Sequence, residues 1–240
     1  MTLITSRPAP ARAADLPEPL PRHHAVITGT GRAGTTFLVE LLTLLGLDTG
    51  FSSRDLVHRK SAVAQAGLEI DVRRQGAPYI VKAPAFCEHA AQVFARPDIV
   101  IDHVFVPMRA LHEAAESRRR VMNLHLADMS WPRRLKVWLK RKELAGGLVG
   151  TRSGSDQEQV LRDRLYRLML AAAEHPVNVT LLHFPRLVQD SAYLYRKLRP
   201  LLQDIPFERF DRVHRRLAQP DLVHSFALPP LQGERLVTTP

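Results

Sequence analysis

One stretch, His24-Ala-Val-Ile-Thr-Gly-Thr-Gly-Arg-Ala-Gly-Thr-Thr-Phe37, constrains the fold more than any other part of the chain. It opens with a short apolar run that stops at glycine, the pattern of a buried strand. From Gly34 onward Phe37, Leu38, Leu41, Leu42 and Leu45 recur at helical spacing, and Gly46 ends the helix. Between strand and helix lie Gly29, Gly31 and Gly34. Glycines let the backbone curl until successive N–H groups face one anion, and the helix N-terminus adds its partial positive charge.

The rest of the chain repeats the alternation of strand and helix. Strands are expected at 79–82, 99–108 and 177–183. Helices are expected at 60–68, 86–95, 111–126, 156–174, 187–202 and 206–218, with a basic helical segment at 132–145. Alternation of this kind predicts a three-layer α/β fold, a parallel sheet flanked by helices on both faces. Ligands of such folds bind beyond the carboxyl ends of the strands, so the loops after Thr28, Lys82, Met108 and His183 should build the site.

A length of 240 residues suits one such domain. Pro8, Pro10, Pro17, Pro19 and Pro21 mark residues 1–22 as a disordered leader. Residues 23–240 then form a single domain with a basic helical insert at about 118–155. The lone cysteine, Cys87, excludes an internal disulfide framework and cysteine-based metal clusters. With no apolar run long enough to span a bilayer and no signal-peptide pattern, the expected location is cytoplasmic.

The net charge is +10, and nine lysines and arginines against one acidic residue, Asp128, fall between Arg118 and Lys142. That segment reads either as a solvated helix face or as an anionic-surface contact. Trp131, Leu135, Trp138 and Leu139 give it an apolar stripe, which suits core packing, a lid or an interfacial helix.

The spacing Gly29-x4-Gly34 followed by Thr35-Thr36 matches the nucleotide P-loop except at Thr35, where that loop carries lysine. That lysine reaches the β- and γ-phosphates, so its absence argues against phosphoryl transfer. Arg32, a cation inside the loop, suits a donor with a 5'-phosphate and one transferable group. The plainer alternative is a tight glycine turn with no ligand.

These residues resemble the 5'-phosphosulfate loop of the PAPS-dependent sulfotransferases, where Lys or Arg, a small residue, Gly, Thr and Thr follow in order. PAPS is 3'-phosphoadenosine-5'-phosphosulfate, and PAP is the product left after transfer. The resemblance implies a P-loop NTPase-like sulfotransferase fold. Within it Arg32, Gly34, Thr35 and Thr36 hold the 5'-phosphate and sulfuryl oxygens, and Thr30, Gly31 and Ala33 complete the loop. Its second motif is an Arg at a strand end with a Ser eight residues on, here Arg109 and Ser117, which by resemblance grip the 3'-phosphate. Pro107-Met108 before the Arg is closer to bacterial-type members of the family.

A third, weaker likeness covers 177–202, where Phe184-Pro185-Arg186 stands in place of Tyr-Glu-Asp. Only Phe184 carries over, as an adenine-side contact, and the C-terminal Arg-Lys-Gly motif of the cytosolic animal branch is absent. By the same resemblance Lys82 stabilises charge on the leaving oxygen. Pro84 occupies the position of that branch's histidine base, so Glu69 is the leading candidate base, with Asp71, His58, Glu88 and His89 behind it.

The cofactor expected is PAPS, with no metal: His112-Glu113-Ala-Ala-Glu116 is only half of a zinc-binding helix motif. The partner expected is a small-molecule, glycan or lipid acceptor, and no specific nucleic acid. Two rival functions stay open, a P-loop nucleoside or sugar kinase with a degenerate loop and a non-catalytic PAP or polyanion binder.

Overall fold

The computed structural model describes residues 20–29, 31–58, 60, 61, 66–127, 143, 144, 148, 149 and 154–218. Its centre is a four-stranded sheet of β1 (Arg22–Ile27), β4 (Ile80–Lys82), β5 (Ile99–Met108) and β8 (Asn178–His183) in the order β4-β1-β5-β8. Every neighbouring pair is parallel. Two short antiparallel pairs lie outside it, β2 (Lys60–Ser61) with β3 (Ala66–Gly67), and β6 (Glu143–Leu144) with β7 (Leu148–Val149).

Successive strand residues face opposite sides of a sheet, and each side here has its own apolar cluster. Ala25, Ile27, Ile80, Phe105 and Leu182 face α1 (Thr35–Leu44) and the C-terminal helices. Those helices are α6 (Arg186–Gln189), α7 (Ser191–Lys197), α8 (Arg199–Leu202) and α9 (Phe207–Leu217). Val26, Val81, Val104 and Val106 face α3 (Phe86–Phe94) and α5 (Gly154–Ala173). The expected three-layer α/β arrangement is therefore present.

Strand β5 carries one irregularity. His24 pairs with Ile101 but Ala25 pairs with His103, so Asp102 is an extra residue in the ladder. A bulge of this kind shifts the two-residue alternation by one. Ile99 and Ile101 thus share a face with Val104 and Val106, while His103 stacks on Phe105 at 4.3 Å across the other.

Several expected elements are corrected. Arg22 belongs to β1 and donates to Asp98 at 3.1 Å, so the leader cannot extend through residue 22; residues 1–19 lie outside the described residues. The helix expected at 60–68 is corrected at both ends, where Lys60–Ser61 and Ala66–Gly67 are strand, and 62–65 lies outside the described residues. The helix of that region is α2 (Ser53–His58), and Gly67 (φ +125°) and Leu68 (φ +58°) have backbone angles a right-handed helix cannot hold. The helix expected at 187–202 is three short ones, because extended Asp190 ends α6 and caps α7 by accepting from the Tyr193 amide at 2.8 Å. Leu198 then separates α7 from α8, since Pro200, in the first turn of α8, has no N–H to donate back to α7.

In the basic insert, α4 (Leu111–Ala127) covers its start, Glu143–Leu144 is strand rather than helix, and 128–142 lies outside the described residues. Arg118 is not part of a solvated face. It is 1% exposed, and its Nε donates to Gln157 Oε1 at 3.1 Å. No helix among the described residues is long and apolar enough to cross a membrane.

Two core histidines set an acid limit. His24 and His214 are each 2% exposed, and burial is the main cause holding both below the ordinary histidine pKa. Nε2 of His24 is also buried without a hydrogen-bond partner. The unfolded chain takes up these protons near pH 6.5 and the folded chain only lower, so stability is intact above about 6.5 and falls as pH drops below it. The melting temperature should be flat from pH 8 to 7 and decline steadily from 6.5 to 5. A flat profile to pH 5 would contradict this.

Candidate functional site

Within the central sheet the chain passes from β1 to β4 on one side and then to β5 on the other, so its direction across the sheet reverses at β1. The helices reverse with it: α1 packs in one face's cluster, α3 and α5 in the other's. Beyond the carboxyl ends of β1 and β5 the topology leaves a crevice, the usual ligand position in open α/β sheets. The glycine-rich loop enters it from β1, Arg109 from β5, Lys82 from β4 and Phe184 from β8.

The loop's backbone is left-handed at three positions in four residues: Gly31 (φ +67°), Arg32 (φ +58°) and Gly34 (φ +88°). At Gly34 a side chain would be strained by the backbone angle and also crowded, since a Cβ would stand 3.0 Å from Leu187 and 3.3 Å from Phe184. Gly34 is the N-cap of α1, and no side chain at that position bonds the amides of the first turn. Those amides, with the positive end of the helix dipole, face the loop's side of α1 without a side-chain partner at the cap. Ala33 and Thr35 are buried, Thr36 is half-buried, and Thr30 lies outside the described residues.

Two side-chain groups meet the loop. On the β4 side, Lys82 Nζ donates to Thr36 Oγ1 at 3.0 Å and to the Gly67 carbonyl at 2.5 Å, and pairs with Glu69 at 3.6 Å. The Lys82 side chain is 2% exposed and Glu69 35%. Burial lowers the Lys82 pKa below that of an ordinary lysine, while Glu69 and Glu40 act in the opposite direction. Glu69 is held in reach because its segment bonds to the end of β4, with the Ile70 amide donating to the Lys82 carbonyl at 3.0 Å.

On the β5 side, Arg32 Nε donates to Ser117 Oγ at 3.2 Å. Arg109 donates from NH1 to the Arg32 carbonyl at 3.3 Å and from Nε to Glu113 at 3.0 Å, and its guanidinium lies 5.0 Å from the Phe184 ring centroid. Burial lowers the Arg32 pKa, and neighbouring Arg109 adds to the effect. Arg109 and Ser117, at the start and in the second turn of the α4 region, are both buried.

The structure thus brings Arg32, Gly34, Thr36, Lys82, Glu69, Arg109, Ser117 and Phe184 of the expected set together around the loop, which also holds Gly31, Ala33 and Thr35. Phe184 packs against Gly34 and Arg109. Among the other candidate bases, Asp71 is paired with Arg73 at 2.6 Å, which holds its carboxyl below the usual range. Glu88 is paired with Arg164, and the side chain of His58 lies outside the described ones. Reading of the sequence did not assign the Gly67 carbonyl or Glu113 to the site. The spacing Arg109–Glu113 at a helix start is the one signal that points to the latter. Among the described residues no group of three or more His, Cys, Asp or Glu is arranged to hold a metal.

Family models, curated proteins and solved structures were all compared with the chain, and none matches it.

The buried Lys82 separates a functional cation from a structural one. Its folded-state pKa is depressed, so the folded protein gains stability as pH rises from that value toward the ordinary 10.5. Lys82→Met removes a desolvated charge and leaves Glu69 partly solvated. The variant should melt at or above the parent temperature at pH 7, with the difference narrowing toward pH 10. A marked drop at pH 7 would make Lys82 a structural cation.

Proposed function

We propose that the chain is a sulfotransferase that moves a sulfuryl group from PAPS to a hydroxyl or amine acceptor, on a P-loop NTPase-like scaffold. The observation that carries this reading is the convergence of two separate cationic groups on one glycine-rich loop. Lys82 reaches Thr36 at one end of it, and Arg32, Arg109 and Ser117 cluster at the other. A donor with phosphate on both its 3' and 5' oxygens presents anions to both groups at once, whereas ATP lacks the 3' anion. Thr35 in place of the P-loop lysine disfavours the kinase reading.

In this reading the first-turn amides of α1, with Thr35 and Thr36, hold the 5'-phosphate and sulfuryl oxygens. Arg109 and Ser117 hold the 3'-phosphate. Arg32, bonded to Ser117, stands between the two. The acceptor oxygen or nitrogen bonds to sulfur as the bond from sulfur to the bridging phosphate oxygen breaks, and PAP leaves. Lys82 meets the negative charge growing on that bridging oxygen, an interaction strongest in the transition state. Glu69, the carboxylate beside Lys82, accepts the acceptor's proton. No step calls on a metal, and a cytoplasmic location goes with the reading.

Thermal melts test the donor. Saturation at about 100 times Kd adds about 2.7 kcal/mol, which for a chain of this size raises the melting temperature by about 5–10 °C. PAP should give that shift at concentrations where ATP gives little. Equal shifts with ATP and PAP would favour the kinase reading.

Single-turnover transfer tests the chemistry. Lys82→Ala should cut the rate while leaving PAP affinity within about threefold, since its contribution is to charge that appears in the transition state. Glu69→Gln should lose about 10²–10⁴-fold in rate. PAP binding without transfer by the parent protein would favour the non-catalytic binder.

A further inference from the structure

The guanidinium of Arg109 is held from three directions. Glu113 Oε2 accepts from Nε at 3.0 Å, the Arg32 carbonyl accepts from NH1 at 3.3 Å, and the Phe184 ring lies 5.0 Å from Cζ. The first contact differs from the others in kind. Glu113 stands on the first turn of α4, four residues after Arg109, and its side chain is 24% exposed against 4% for Arg109.

Arg109 is a long side chain at a strand end, and a phosphate grip through parallel N–H donors depends on the plane of the guanidinium. A hydrogen bond from Nε–H sets that plane, because this N–H lies in the guanidinium plane and turns with it about the Cδ–Nε bond. Its charge also offsets a buried arginine that abuts a second one, Arg32.

We propose that Glu113 is the positioning residue for Arg109 and so a determinant of selectivity for the donor's 3'-phosphate. It acts through Arg109 and does not itself touch the donor. This rests on the PAPS reading of the site.

Glu113→Gln keeps an acceptor oxygen within reach of Nε, whereas Glu113→Ala removes it, and Glu113→Met removes it while filling the space. The readout is the ratio of affinities for PAP and 5'-AMP, which differ only in the 3'-phosphate, measured by calorimetry on the full chain. Loss of one oriented, charge-assisted contact should lower that ratio about tenfold in Glu113→Ala and Glu113→Met. Glu113→Gln should hold it within about threefold of the parent.

A role limited to the charge of the α4 N-terminus would weaken both nucleotides alike and leave the ratio unchanged in every variant, which would overturn the proposal. So would a Glu113→Gln ratio as low as that of Glu113→Ala, because charge and not the bond would then be responsible. Should Glu113→Ala fail to fold, Glu113→Met against Glu113→Gln carries the same comparison. A parent protein that binds PAP no better than 5'-AMP would overturn the donor reading itself, and the proposal with it. A parent that discriminates while its Ala and Met variants discriminate equally well would overturn the role of Glu113 alone.

Discussion

Strand β1 has a parallel neighbour on each side, and the chain crosses to β4 on one side before returning to β5 on the other. Helices follow the crossings, so α1 covers one face of the sheet and α3 with α5 the other. The ends of β1 and β5 lie at this reversal, the usual ligand position in such sheets. The site is gathered around those ends. The glycine-rich loop, Arg109, Lys82 and Phe184 come from four different strand ends, and only the parallel register brings them to the same end of the sheet.

What gathers there is cationic and largely buried. Arg109 and Lys82 are buried, Arg32 is half-buried, and burial is the first cause lowering the pKa of both Lys82 and Arg32. A fold optimised for stability alone has little reason to collect such groups, because desolvating a charge costs more than an apolar side chain of the same volume. The protein offsets part of this internally. Glu69 and Glu113 each stand beside one of the cations, and Ser117, Thr36 and two backbone carbonyls accept the remaining bonds described. The cations of the site are thus held by contacts of the kind an anion would make.

Elements defined by contiguous periodicity were legible from the sequence. Strand β5 lies at Ile99–Met108, where the sequence places it, and the ends of α3, α4 and α5 agree to within two residues. Agreement failed where backbone conformation depends on distant packing or a single cap. Gly67 and Leu68 adopt left-handed angles where an alanine-rich segment reads as helix, and Asp190 turns one long amphipathic pattern into separate helices. The extra residue at Asp102 reversed the facing of the first half of β5, which no two-residue alternation can reveal in a strand buried on both sides.

By itself the sequence determined the class of fold and the chemistry available to it. A strand, a glycine loop and a helix in succession can hardly be joined otherwise, because the constraints are local: positive φ at glycine, apolar spacing of the helix, and a helix start without a side-chain cap. Only the tertiary structure decided which polar groups meet. Arg32 is separated from Ser117 by 85 positions and Lys82 from Thr36 by 46, and neither spacing has a physical meaning until the strands lie side by side. It decided too that Arg118, one of a run of three arginines, is buried against Gln157 while Arg119 is exposed and paired with Glu116. On a helix a step of one residue turns the side chain by about 100°, and whether that step faces core or water is set by the neighbouring helix, α5, which lies far along the chain.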